Sequence, residues 1–174
     1  ADKRSLSFGH GPMNTNLAQL ARAYLVFANE GAIPSLKLFK NNSTPDNLEQ
    51  VFSPESTKRI AEILDSVASD NGSGYRAVID GYSVAGKTGT AEMVIDGKYS
   101  KDGAKRTYFI GFSPAENPKY IMAVRLDYPK KCFVSWDPTM RNRCEGSNSA
   151  SMAFQKAMKR ILINDPDIKS KFEG

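Results

Sequence analysis

The chain is poor in the residues that most often carry chemistry. It has one histidine, His10, one tryptophan, Trp136, and two cysteines among 174 positions. A single histidine leaves no obvious Ser-His-Asp triad, and His10 reads as a loop or packing residue. No C-x-x-C spacing occurs and His10 is distant in sequence from both cysteines, so neither a metal site nor a cofactor is expected. No apolar run approaches the ~20 residues that a membrane-spanning helix needs, and residues 1–11 are too short and polar for a signal peptide. The segment therefore reads as soluble, which leaves room for an anchor outside it.

Strong charge of one sign is also lacking. The net charge of +5 is spread along the chain, and its densest basic run, Lys156 to Arg160, falls on a helix whose other face is apolar. That run reads as a solvated face; without basic and aromatic residues interleaved, nucleic acid is not an expected partner. What remains is ordinary for one globular domain: 40% hydrophobic, 25% charged, 13 glycines and 9 prolines. Cys132 and Cys144 lie twelve positions apart in a loop-like stretch. In a reducing compartment they are two thiols; in an oxidising one they can close a loop worth roughly 3 kcal/mol.

Periodicity predicts three helices. Leu17, Leu20, Ala21, Tyr24, Leu25 and Ala28 form one apolar stripe. Asn16 is its cap, with Gln19 three residues on as in a capping box, and Gly31 its end. A second helix is predicted over 54–69, with Ser53 as cap, Pro54 at the first position and a buried stripe of Ile60, Ile63, Leu64 and Val67. Asp70-Asn71-Gly72-Ser73-Gly74 stops it. Ala150, Ala153, Phe154, Ala157, Met158, Ile161 and Leu162 mark a last helix, ended before Pro166.

Between the second and third helices the period becomes two. Tyr82–Ala85 looks like a strand. Ala91, Met93 and Ile95 alternate with Thr90, Glu92 and Val94 up to the Asp96-Gly97 turn signal. After a polar excursion through Lys98 to Lys105, the runs 108–112 and 120–124 are joined by a short connection and are expected to pair antiparallel. Two helices, three strands and a helix, without βαβ alternation, imply an α+β fold: an antiparallel sheet packed by helices.

One stretch, Asp80 to Gly97, satisfies two catalytic patterns at once. Gly81 through Thr88 spells the phosphate-cradling G-x-x-x-x-G-K-[ST], and Lys87-Thr88-Gly89-Thr90 spells K-T-G-T. A phosphate-binding loop needs a helix after it, whose N-terminus supplies N–H groups and dipole. Gly89, the β-branched Thr88 and Thr90, and the early Asp96-Gly97 turn all oppose a helix. Asp127, ending an apolar run, could imitate a magnesium-binding acid, although Arg125 interrupts the run. On a strand, Thr88 and Thr90 share a face, Gly89 leaves the backbone open, and Lys87 adds a positive charge, a combination suited to a carboxylate. The N–H of Thr90 could donate to an oxyanion. A strand that merely contains these four residues remains the plain alternative.

The resemblance extends beyond the tetrapeptide. Phe8-Gly9-His10-Gly11, the Gln19-Leu-Ala-Arg-Ala-Tyr24 helix with Ala28-Asn29-Glu30-Gly31, Gly72-Ser73-Gly74, Gly81 through Glu92, and Tyr108 through Pro114 with Pro118-Lys119-Tyr120 stand in one order. Covering roughly two thirds of the chain, they resemble the C-terminal part of the transpeptidase domain of class B penicillin-binding proteins, with His10 where that family has glutamine. The resemblance implies the fold of penicillin-recognising serine enzymes and a peptidoglycan D,D-transpeptidase serving septal or elongation wall synthesis. By carry-over Lys87 biases the cleft's electrostatics, Thr88 and Thr90 hold the donor carboxylate or that of a β-lactam, Gly89 keeps the strand open, and Thr90 N–H is one arm of the oxyanion hole. The implied partners are a peptidoglycan stem peptide or lipid-linked precursor, β-lactam antibiotics, and the division or elongation machinery. The implied location is extracytoplasmic, on a parent anchored by an N-terminal membrane helix; there, Cys132 and Cys144 are predicted to be bonded. A β-lactam sensor, or a β-lactamase or carboxypeptidase, shares the fold and stands as the alternative.

The family also uses S-x-x-K for its nucleophile and S-x-N for a proton relay. No serine here has lysine three residues later. Ser69-Asp70-Asn71 does spell S-D-N, but it lies sixteen residues before Lys87 where the family places that motif much further upstream, so it reads as a helix terminus. The expectation is a single partial domain over 1–174, completed by an N-terminal part of the same protein, inactive alone and poorly stable with its core surface uncovered. Trp136 is a loop anchor or partner contact.

Overall fold

The computed structural model describes residues 3, 15–37, 48–100, 104–130, 132 and 144–172; Phe8–Gly11, His10 among them, and Trp136 lie outside the described residues. Helix α1 spans Leu17–Ala28, and the carboxamide oxygen of Asn16 accepts from Gln19 N–H at 2.9 Å, which satisfies one of the unpaired donors at a helix start. The chain leaves the helix through Gly31, at φ +95°. It then forms a short antiparallel ribbon of β1 (Ala32–Pro34) and β2 (Leu48–Gln50). Helix α2 spans Pro54–Val67, with Ser53 Oγ accepting from Ser56 N–H. A single 3-10 turn covers Tyr75–Ala77.

The sheet follows. Strand β3 is Ala85–Glu92, and β4 (Val94–Ile95) with β5 (Lys98–Tyr99) makes a small ribbon. Strands β6 (Lys105–Ser113) and β7 (Tyr120–Asp127) complete a three-stranded antiparallel sheet in the order β3-β6-β7. Helix α3 is Ala150–Ile163. The mixed helix and antiparallel-sheet architecture agrees with the α+β expectation. Two details differ. The strand ends at Glu92 because Met93 turns to exchange backbone hydrogen bonds with Ala104 and Ser100, and Tyr82 makes only an isolated bridge with Ile79.

Side chains alternate across a strand, so the register assigns each face. Gly86, Thr88 and Thr90 lie opposite Gly111, Phe109 and Thr107, on the face covered by α3. Phe109 meets Phe154 there at 4.6 Å between ring centroids, in a fully buried cluster with Ala77, Ala150, Met158 and Leu162. Ala85 and Phe112 belong to the other face and pack with Leu64 of α2, joined by Tyr24, Phe27 and Ile121.

The predicted helix stripes need correction. In α1 the one fully buried residue is Val26, outside the expected stripe, and Leu17 is exposed. In α2, Thr57 and Leu64 are buried, whereas Ile60 and Ile63 are 39% and 58% exposed. The helix turns Thr57, Ala61 and Leu64 toward the body of the protein, so Ile60 and Ile63 look away from it. In α3, Ala157 lies on the solvent side with Lys156 and Arg160. Large-to-small changes in a filled core lose transfer energy and leave a cavity. In the 174-residue chain, Phe154→Ala should therefore destabilise the fold by about 3–5 kcal/mol, measured by denaturant unfolding, while Ile63→Ala should cost under about 1 kcal/mol.

Candidate active site

Strand β3 has one neighbour, β6, so its far side is a sheet edge among the described residues. It emerges from the core along its length: Ala85 and Gly86 are buried, Lys87 is exposed, and Thr88 and Gly89 are half-buried. Lys87-Thr88-Gly89-Thr90 is extended backbone throughout, paired with residues 107–110. This overturns the phosphate-loop reading. Residues 87–92 continue as strand where a phosphate cradle requires a helix N-terminus. Asp127, the imagined magnesium ligand, is bonded instead to Arg106 and Arg125.

The two threonines meet different neighbours. Thr88 Oγ1 lies 3.5 Å from Ser73 Oγ, contributed by the Gly72-Ser73-Gly74 turn after α2. Thr90 Oγ1 accepts a hydrogen bond from Gly146 N–H at 3.0 Å. Lys87 projects from the opposite face, and its Nζ donates to the Thr88 carbonyl at 2.9 Å. The hydroxyls and the ammonium therefore flank the strand, rather than standing together on one face. Gly89 has the side chain of Tyr108, its partner on β6, 3.3 Å from where a Cβ would stand.

The turn before α3 is pressed against this strand. Cys132 and Cys144 are joined, with Cα atoms 5.3 Å apart. Glu145 reaches Lys105 at 3.7 Å, and Ser149 Oγ donates to buried Thr107 Oγ1 at 2.9 Å. Ser73, Tyr108, Gly146 and Ser149 were not picked out as site residues from sequence, because only the fold brings them to Lys87–Thr90. The signals available were the likeness of Gly72-Ser73-Gly74, and of the stretch beginning at Tyr108, to family motifs. Ser69 to Asn71 forms the turn beyond α2, with Ser69 Oγ donating to Ser66 O, and lies outside this group.

On the Lys87 face, further along the sheet, Asp127 accepts from Arg125 at 2.5 Å and Arg106 at 2.9 Å. Hydrogen bonding from Arg125, aided by Arg106, holds its carboxyl at about 2, below the ordinary value.

An antiparallel sheet between two helical layers, with a K-T-G-T edge strand, defines the class: the β-lactamase and penicillin-binding transpeptidase fold. A family model for the penicillin binding protein transpeptidase domain matches residues 1–158, and the chain belongs to that family. Among curated relatives, it is 36% identical over 168 residues to the peptidoglycan D,D-transpeptidase FtsI of Buchnera aphidicola subsp. Baizongia pistaciae, covering 92% of this chain and 27% of the relative. It is 36% identical over 128 residues to the probable peptidoglycan D,D-transpeptidase PenA of Neisseria flavescens, covering 74% and 31%. Among solved structures, the transpeptidase domain of Burkholderia pseudomallei penicillin-binding protein 3 superposes with a TM-score of 0.67 at 30% identity, covering 87% of this chain and 44% of that one. The chain thus spans under a third of the length of these two curated relatives. No helix among the described residues is long and apolar enough to cross a membrane.

A carboxylate held below its ordinary pKa in the folded state stabilises above that ordinary value, and the contribution is lost as pH falls toward the folded value. The Asp127 contribution should accordingly disappear between about pH 4 and pH 2. Asp127→Asn should flatten the acid limb of melting temperature against pH in that window; an unchanged limb would contradict the assignment.

Proposed function

We propose that this chain supplies the donor-binding strand of a serine-type peptidoglycan D,D-transpeptidase. The observation that carries the reading is the K-T-G-T segment extended along what is, among the described residues, an open sheet edge, in a chain that belongs to the penicillin-binding transpeptidase family. In this reading Thr88 and Thr90 donate hydroxyl hydrogen bonds to the terminal carboxylate of a D-Ala-D-Ala stem peptide, or of a β-lactam that imitates it. Gly89 lets the peptide lie close to the strand. The N–H of Thr90 stabilises the oxyanion as the carbonyl becomes tetrahedral, and Lys87 contributes positive charge.

The reaction proceeds through an acyl-enzyme. A serine hydroxyl attacks the penultimate D-alanine carbonyl and loses its proton to a base. The terminal D-alanine leaves with a proton on its amine, and an amine of a second strand then takes the acyl group and frees the serine. Since no S-x-x-K occurs in the 174 residues, the nucleophile comes from the rest of the protein. We place that part over the exposed apolar residues of α1, β2 and α2, among them Leu17, Leu48, Ile60 and Ile63. An extracytoplasmic location on a membrane-anchored parent accords with the substrate and with a Cys132–Cys144 bond. Its machinery would be that of division or elongation, the FtsI name of one relative favouring the former.

Two outcomes test this. A fluorescent penicillin should label the whole protein and leave the 174-residue chain unlabelled; covalent labelling of the chain alone would overturn the division of parts. In the whole protein, Thr88→Val should slow acylation by about ten- to a hundredfold, the equivalent of losing a hydrogen bond to a charged group. Unchanged acylation would remove Thr88 from the carboxylate site.

A further inference from the structure

The last turn before α3 is built onto the K-T-G-T strand more closely than a connecting loop needs to be. Gly146 N–H donates to Thr90 Oγ1 at 3.0 Å. A Cβ on Gly146 would stand 2.6 Å from Gly89 O, 2.7 Å from Tyr108 O and 2.9 Å from Gly89 N. All three are backbone atoms of the paired strands β3 and β6, which cannot swing aside as a flexible side chain can. Its backbone is not in the left-handed region, so the demand for glycine here is one of space.

The turn is anchored on both sides of Gly146. Two residues before it, buried Cys144 is joined to Cys132. After it, Asn148 Oδ1 accepts from Glu145 N–H at 2.7 Å and Ser149 Oγ reaches Thr107 Oγ1 at 2.9 Å. Ser151 N–H returns to Gly146 O at 2.9 Å, which joins the turn to the first residues of α3.

We propose that Gly146 is a positioning residue for anion capture by Thr90, held in place by the Cys132–Cys144 bond. A hydroxyl has one proton to give and two lone pairs to receive with. With one lone pair occupied by Gly146 N–H, Thr90 keeps its own proton for a carboxylate laid against the strand. The absent side chain sets the height of Gly89 and, with it, the direction of the Thr90 N–H. Gly146 touches no reacting atom; it acts through Thr90. The inference rests on the carboxylate-binding reading of Thr88 and Thr90 given above.

The test uses the whole protein and compares acylation by a penicillin with acylation by its methyl ester, in which the carboxylate is masked. Gly146→Ala should slow acylation by the free acid about tenfold, the scale of one charge-assisted hydrogen bond, and slow the ester less than about twofold. Equal slowing of acid and ester would mean a general loss of structure, and no slowing would mean no coupling; either result overturns the proposal. If Gly146→Ala does not fold, Cys132→Ser with Cys144→Ser takes its place, with an acid-selective loss of about threefold expected and an equal or absent loss overturning it. Thr90→Val separates the two readings. If Thr90→Val is acid-selective and Gly146→Ala is not, only the role of Gly146 falls. If Thr90→Val is itself unselective, the carboxylate reading falls and this inference with it.

Discussion

The structure depends on strand β3 being fixed at one end and, among the described residues, open along one side. At Ala85 and Gly86 the strand is buried on both faces, between Phe109 on one side and the α2 layer on the other. A Cβ on Gly86 would stand 2.6 Å from the Phe109 ring, so that ring fills the space a side chain would occupy. A slip of one residue would exchange the faces of every side chain on the strand. It would put Lys87 in the place of Gly86, against the Phe109 ring. The core therefore sets the register, and the register decides that Thr88 and Thr90 look one way and Lys87 the other.

The same constraint explains why two helical layers meet so close to Thr88 and Thr90. Gly74 lies near Phe109 and Val67, bringing Ser73 beside Thr88. From α3, the turn at Gly146 reaches Thr90. Each hydroxyl is thus approached by a turn belonging to a different helix, and neither turn could lie there without the sheet beneath it. Rigid elements hold side chains more closely than loops do, and here the strand is the rigid element while the turns follow it.

Much of this was legible in sequence where local chemistry decides the outcome. Asn16 and Ser53 cap their helices through the hydrogen bonds their side chains are suited to make, and the two apolar runs after Lys105 pair antiparallel as their short connection requires. The extension of Lys87–Thr90 followed from Gly89 and two β-branched residues that resist a helix. What could not be read was any matter of which element lies against which. Ile60 and Ile63 have the spacing of a core stripe, yet the helix turns Thr57 and Leu64 inward, and periodicity cannot tell a face covered by this chain from one left bare. The ribbon at Ala32–Pro34 and Leu48–Gln50 is too short to show a period. Gly146 lies fifty-six positions from Thr90, and nothing local marks a glycine whose need is space beneath a distant strand.

The two patterns that share Lys87 differ in what they ask of the backbone. A phosphate is compact, and a cradle for it gathers successive N–H groups toward one point at a helix start. An edge strand instead spends alternate backbone groups on its neighbour and leaves the others spaced about 7 Å apart along a line, two residues at about 3.4 Å each. Such a row suits an extended main chain, which can add itself to the sheet as another strand would. Glycine serves both patterns, but for different ends: in a cradle it lets the chain curl around an anion, whereas in the proposed reading Gly89 lowers the strand's profile so that another backbone can approach. Eight residues of unbroken pairing from Ala85 to Glu92 leave no freedom to curl, so under the proposed function the lysine and threonines would meet a ligand that lies along the edge.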